Sequence, residues 1–222
     1  MKRDEVDVTE LTRETYDLIA SGYTRRINDL VSDTWIGRFE KSLLDKLVTS
    51  VKAGGEKITD ILDIGCGYGK DTFYLSQKEG VNSIGLDYSS AMLSEARKNF
   101  PGFCFIRGDM RNLGFSGGHF GGVWANGCVY HVPKKEVTGV LLEVRRVLKP
   151  SGVLSFNFKV GTGEQLEKNP RSYGGRTRFY AYYEIEEMRS YVDNADLEVI
   201  QVEPYPEAIL GEQIVQIWAS KS

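Results

Sequence analysis

Long apolar runs are missing from this sequence: no window approaches the roughly 18 residues that a membrane span needs. The opening MKRDEVDVTE is charged with no apolar stretch behind it, so no secretory signal and a cytoplasmic location are expected. Cysteine is scarce. Cys66, Cys104 and Cys128 are an odd number, lie far apart, and lack the CxxC or Cys/His spacing of a metal site. They read as buried thiols of a reducing compartment, and no metal is expected. Positive charge is not in excess either. A net charge of -3 and a pI near 5.6 make a poor footprint for non-specific nucleic-acid binding, which leaves RNA only a local patch. Internal repeats and low-complexity tracts are absent. What remains, 222 residues at 41% hydrophobic and 27% charged, is enough to bury the core of one domain with a small elaboration.

Apolar residues at helical spacing (Leu11, Tyr16, Ile19, Ala20, Tyr23, then Ile36, Phe39, Leu43, Leu44, Leu47) predict two amphipathic helices in the first fifty residues, ending at Gly54-Gly55. From there strands and helices alternate. Strands are expected at 58–64, 82–87, 103–107, 122–125 and 153–158, with helices near 70–78, 90–98 and 135–148. Parallel strands need crossover connections, so this rhythm predicts a doubly wound α/β sheet with helices on both faces. After Lys159 the pattern changes: GTGEQLEKNPRSYGGRTRFYAYY reads as an inserted loop with one short strand near Arg178–Tyr180. A helix at 184–193 and two strands, 197–202 and 213–219, follow. The loop between those strands has no helical pattern, which suits an antiparallel pair.

In a doubly wound sheet, ligands sit beyond the carboxyl ends of the strands where strand order reverses. The turn ILDIGCGYGKDT after the first strand is therefore the default site, and Gly65, Gly67 and Gly69 strip it of side chains. A dinucleotide site asks for G-x-G-x-x-G; this chain has G-x-G-x-G, with Lys70 where the third glycine would fall. Asp63 just before the first glycine would repel a pyrophosphate, yet it suits a ligand with an ammonium group and no phosphate. S-adenosylmethionine fits that description. Asp87 ends the second strand, where an acid accepts ribose hydroxyls. Asp109 follows the third strand and can accept from an adenine amine. Any one of these acids could be a helix cap or a loop carboxylate; three after three successive strands form a stronger pattern.

The stretches LDIGCGYG (62–69), GLDYS (85–89), RGDMRNL (107–113) and EVRRVLKPSGVL (143–154) resemble the motifs of class I S-adenosylmethionine-dependent methyltransferases, in their order and near their spacing. The resemblance implies a Rossmann-like sheet of seven strands, the last antiparallel and inserted between the fifth and sixth. It implies that Asp63 and the Gly65–Gly69 loop, with Cys66 and Gly67, hold the methionine part, Asp87 the ribose, Tyr88 one adenine face, and Asp109 with Met110 the adenine edge. YDLIASGYTRR, VWANGCVYHVP and FKVGTGE…RFYAYYEIEEM resemble a small bacterial and archaeal branch of the family, which implies an N-terminal helical lid in which Tyr16 and Tyr23 close over the cofactor. The single domain then divides into a lid (1–55), a cofactor-binding core (56–158) and a substrate-side insertion with the last strands (159–222). One departure stands out: where the branch usually reads Phe-Asp-Gly, this chain has Phe120-Gly121-Gly122. It lies at the amino end of the fourth strand, so it is expected to bear on stability more than chemistry.

Methyl transfer from a sulfonium is an in-line displacement with a neutral leaving group, so proximity and exclusion of water can carry it. The fourth strand should deliver Asn126 to the cofactor and the reacting methyl. His131 is the best base candidate by its ordinary pKa; orienting a loop is an equal reading. Lys159, Glu164, Arg171, Arg176 and Arg178, interleaved with Tyr173, Phe179, Tyr180, Tyr182 and Tyr183, could grip a planar or anionic acceptor. Of these, Lys159, Glu164, Arg178 and Tyr180 are the candidate acceptor contacts. The plainer reading is a half-buried edge strand, with Lys159 paired to Glu164. A small-molecule acceptor is the leading expectation; tRNA read through the 171–178 arginines, and a non-enzymatic cofactor binder, are the alternatives.

Overall fold

The computed structural model describes residues 7–31, 34–55, 57–168, 174–205 and 213–222. Two helices come first, α1 (Val8–Val31) and α2 (Trp35–Lys52). Each begins on a polar cap. Asp7 Oδ1 accepts from the amides of Thr9 and Glu10, and Thr34 Oγ1 from that of Gly37, giving partners to amides that a first turn leaves without one. The alternating part follows as β1 (Thr59–Ile64), α3 (Lys70–Ser76), β2 (Val81–Asp87), α4 (Ser90–Asn99), β3 (Cys104–Arg107), β4 (Phe120–Ala125), α5 (Lys134–Val147) and β5 (Leu148–Val160). The chain then makes β6 (Glu164–Lys168), β7 (Thr177–Tyr183), α6 (Ile185–Asn194), β8 (Glu198–Pro204) and β9 (Ile214–Ser220).

Strands pair in parallel in the order β3-β2-β1-β4-β5. β9 lies antiparallel to β5 over Val153–Lys159 and antiparallel to β8 on its other side, so the last strand is inserted where it was expected. Among the described residues the sheet has nine strands, two more than the expected seven. The difference is a hairpin. The segment read as a loop with a short strand pairs Glu164–Lys168 with Thr177–Ala181, and β7 joins the end of β5 through Lys159↔Tyr182 and Val160↔Tyr183. β6 reads EQLEK and is mostly exposed, so no apolar alternation announces it. Arg171 and Tyr173 lie outside the described residues.

The two-residue period of the strands sends neighbours to opposite faces. Leu62, Ile64, Val123 and Ala125 pack with α5 and α6, whereas Ile61 and Trp124 pack with α2 and Leu75 of α3. Leu44 and Leu47 of α2 are fully enclosed, and each contributes about 1.5–3 kcal/mol of burial. Cys66 and Cys128 are buried, but Cys104 is exposed against expectation, because β3 is an edge strand. No helix among the described residues is long and apolar enough to cross a membrane.

Helix α1 is held across the carboxyl ends of the parallel strands by side-chain hydrogen bonds. Thr15 Oγ1 donates to the Thr177 carbonyl (2.6 Å), and Thr12 Oγ1 accepts from the Phe179 amide (2.9 Å). Asp17 Oδ1 accepts from Ser89 Oγ (2.6 Å) and the Ala91 amide (3.1 Å), adding a carboxylate to the amino end of α4.

Candidate active site

The turn after β1 folds back on β2: the amides of Gly65 and Cys66 both donate to the Leu86 carbonyl, at 2.7 and 3.1 Å. Gly65 has φ +70°, and a β-carbon there would lie 2.5 Å from Cys128 Cβ. Only glycine lets the loops after β1 and β4 meet this closely. Gly67 has φ +54° and nothing within 4 Å of where a β-carbon would stand, so its backbone faces open space. Its amide donates to Asp87 Oδ2 at 2.8 Å, while Asp87 Oδ1 accepts from the Ser89 amide at 2.8 Å. Burial pushes the Asp87 pKa up to about 6, against the pull of those two amides.

These groups line a cavity of about 390 Å³ at the point where strand order reverses between β1 and β4. Of the residues singled out in the sequence, Gly65, Cys66, Gly67, Asp87, Tyr88, Asp109 and Met110 line one part of it. Asn126, His131, Tyr16 and Tyr23, then Lys159, Arg178 and Tyr180, complete the wall. Two of the candidate contacts do not reach it, and neither do Gly69, Arg176, Phe179, Tyr182 and Tyr183. Asp63, expected to face an ammonium, is 2% exposed beneath the loop and accepts from Thr72 Oγ1 at 2.6 Å. Alternation on β1 turns it toward α3 rather than the cavity. Glu164, expected at the acceptor, accepts instead from the Lys134 amide at 2.6 Å, so the suggested pairing with Lys159 is not what it makes.

Each polar group on the wall has a defined setting. Asp109 is clasped by Arg111, whose Nε and Nη2 lie 2.9 and 2.7 Å from Oδ2. Asn126 Oδ1 accepts from Tyr205 Oη (3.0 Å) and from Asn157 Nδ2, while Asn157 Oδ1 accepts from the Gly127 amide (2.7 Å). His131 Nδ1 lies 2.7 Å from the Phe179 carbonyl and Nε2 3.1 Å from Tyr16 Oη. A carbonyl only accepts, so Nδ1 carries the proton and Nε2 accepts from Tyr16. Arg178 in turn donates to Tyr16 Oη. Burial, then the charge of Arg178, push the His131 pKa well below the ordinary histidine range, with the Phe179 carbonyl pulling the other way.

A family model described as a methyltransferase domain matches residues 61–152. Residues 61–152 carry a class I methyltransferase domain. The domain is similar to the sterol 24-C-methyltransferase of Saccharomyces cerevisiae, at 27% identity over 76% of this chain and 48% of that protein. It is 33% identical to the demethylmenaquinone methyltransferase of Lactococcus lactis over 64% of this chain and 56% of that one. The chain spans about half the length of most curated relatives it matches. The 1,6-didemethyltoxoflavin-N1-methyltransferase of Burkholderia thailandensis, solved with 1,6-didemethyltoxoflavin and S-adenosylhomocysteine, aligns with a TM-score of 0.71. The alignment covers 100% of this chain and 93% of that one at 18% identity, which shows a shared fold.

Several residues of the methyltransferase domain's cavity escaped the sequence reading. Lys70 Nζ reaches Glu40 of α2 at 2.8 Å and Asp71 at 2.5 Å, and Asp71 Oδ2 accepts from Trp124 Nε1 at 3.1 Å. Glu40, Lys70 and Asp71 all line the cavity, and only tertiary docking of α2 unites them. Asn157 did leave a signal. In LSFNFKV the polar residues Ser155, Asn157 and Lys159 alternate with Leu154, Phe156 and Phe158, so one face of a buried strand is polar.

Proposed function

We propose that this domain binds S-adenosylmethionine and transfers its methyl group to a small-molecule acceptor. The observation that carries the reading is the pair made by Gly67 and Asp87, in which bare backbone facing a cavity is tied to an ionisable carboxylate at the end of β2. Asp87 would accept ribose hydroxyls, and Tyr88, Asp109 and Met110 would surround the adenine. Glu40, Lys70 and Asp71 present both signs of charge near the glycine loop. A zwitterionic amino-acid tail can use both, whereas a pyrophosphate would face two carboxylates. The bound cofactor supplies an electrophilic methyl on a sulfonium. The chain's part is to align an acceptor and exclude water, with α1 covering the strand ends.

In this reading His131 is a positioning residue. Its Nε2 is engaged by Tyr16 and its Nδ1 by a backbone carbonyl, so the ring ties α1 to β7. Asn126 stands at the carboxyl end of β4, fixed by Asn157 and Tyr205. Arg178, one of the arginines that could have met RNA, is buried in the cavity wall.

Calorimetry tests the cofactor claim: S-adenosylhomocysteine should bind and NAD should not, and the reverse would end the reading. Methyl release from labelled cofactor in a small-molecule library should separate an enzyme from a binder. A tRNA shift at low salt that Arg176→Ala abolishes would move the acceptor to RNA.

A further inference from the structure

The carboxyl ends of β4 and β5 present two carboxamides whose directions are fixed by a backbone donor. The Gly127 amide can only donate, and it does so to Asn157 Oδ1 at 2.7 Å. Asn157 Nδ2 therefore points at Asn126 Oδ1, which also accepts from Tyr205 Oη at 3.0 Å. Burial, then the charge of Glu40, push the Tyr205 pKa up, so the phenol keeps the proton it donates. Asn157 and Tyr205 are 4% and 7% exposed, which holds this chain of bonds from behind. With its oxygen engaged on that side, Asn126 is left with Nδ2, a group that only donates. Nδ2 has no acceptor among the described residues and is not sealed from the cavity that Asn126 lines.

We propose that Asn126 Nδ2 binds the atom that takes the methyl group, and that this atom is the oxyanion of an acidic phenol or enol. This rests on the reading of the cavity as a methyl-acceptor site. A group that only donates must meet a lone pair. An amine has one, which cannot both accept from Asn126 and attack a methyl, and an ammonium has none. A phenolate or enolate oxygen has three, so it can do both, and its charge strengthens the bond to Asn126. A carboxylate divides its charge between two oxygens and is the weaker nucleophile. The proton has to be gone beforehand, because the titratable groups around Asn126 are engaged. His131 is bonded at both nitrogens, and Cys128 Sγ donates to the Ile64 carbonyl at 3.2 Å. Glu40 and Asp71, beyond Tyr205, hold Lys70. Burial keeps Tyr130 protonated, as it does Tyr205, and Lys159, on the same face of β5 as Asn157, only donates. The new C–O bond takes an oxygen lone pair, the pair of the broken S–C bond stays on sulfur, and no proton is left to remove.

The test uses probes rather than the unidentified acceptor. S-adenosylhomocysteine is titrated first, and 4-nitrophenol and 4-nitroaniline are then titrated at a pH about one unit below the pKa of the phenol. Visible absorbance reads whether the bound phenol is ionised, and calorimetry gives the affinities. The phenol should bind as its anion, and that anion about tenfold or more tightly than the aniline, the scale of one charge-assisted hydrogen bond. Asn126→Asp keeps an oxygen for Tyr205 and Asn157 but puts a carboxylate oxygen where Nδ2 stood, so there the anion should no longer bind. No binding of the phenol, a phenol bound neutral, an aniline bound as tightly as the anion, or a bound anion persisting in Asn126→Asp would overturn the proposal. The comparison in the unaltered protein decides even if the variant fails to fold. Binding of S-adenosylhomocysteine without a bound anion sinks this inference alone, and a bound anion without it sinks the cofactor reading alone.

Discussion

Tyr16 on the first helix and His131 after the fourth strand meet at 3.1 Å, and the direction of that hydrogen bond is set from both ends. Arg178 donates to the Tyr16 hydroxyl and the Phe179 carbonyl takes the proton of His131 Nδ1, so the hydroxyl must give its proton to Nε2. The lone pair that a general base would use is thereby occupied.

His131→Asn should consequently lower turnover by less than about tenfold, equally across pH, because a displacement at sulfonium proceeds by proximity. A general base would cost about 10² to 10⁴ and be partly rescued at high pH. Initial rates from pH 6 to 9, about one unit apart, distinguish the two.

The imidazole itself should stay neutral well into acid. The chain has two histidines, so His119→Gln assigns the nitrogen spectrum, which should show His131 protonated at Nδ1 alone below about pH 6.5. The sign for stability follows. A histidine whose folded pKa is lowered binds fewer protons than the unfolded chain, so its contribution is present above about pH 6.5 and is lost as pH falls, at up to about 1.4 kcal/mol per unit. In denaturant melts between about pH 5 and 8, wild type should lose stability relative to His131→Asn as pH falls.

Asp87 shifts the opposite way. Raised to about 6, it binds more protons folded than unfolded, so its stabilising contribution is present in acid and is lost as pH rises through about 6. Ribose hydroxyls need the ionised carboxylate. Affinity for S-adenosylhomocysteine should rise from pH 5 to about 6.5 and then level off, while Asp87→Asn should flatten the profile. Asp87→Ala should weaken binding by about 1.5–3 kcal/mol with the fold intact. Unchanged affinity would place the ribose elsewhere.

Gly121 has a packing reason. A β-carbon there would collide with Thr59 Oγ1 across the β1–β4 pair. Gly121→Ala should destabilise by about 1–3 kcal/mol, and adding Thr59→Ala should recover much of the loss. Melting of the four proteins in the cycle gives the coupling directly; simple additivity would show that the two positions do not clash.

The parallel core was legible because buried strands and amphipathic helices leave different periods, and Asp87 and Asn126 were legible because topology alone sends strand ends to the crevice, whereas Tyr88 came only with the family resemblance. β6 was not, since an exposed EQLEK has no apolar alternation. Asp63 was misplaced for a related reason. Its neighbours in sequence mark the ligand loop, but side-chain parity on β1 points it to Thr72. Glu40, Asp17 and Tyr205 acquire their places only when helices and the far strands dock, and no local pattern encodes that. Arg171 and Tyr173 fall outside the described residues.

Helix α1 supplies Thr12, Tyr16 and Tyr23 to the cavity and is fastened at Thr12, Thr15 and Asp17. An occupant walled in by a helix departs no sooner than the helix lets it. In the proposed reading, the fastenings that would keep water from the methyl group should also lengthen the residence time of the spent cofactor, and release rather than transfer is expected to set the ceiling on throughput. Loosening them with Asp17→Ala should shorten that residence in a stopped-flow chase with S-adenosylhomocysteine, trading occupancy for speed.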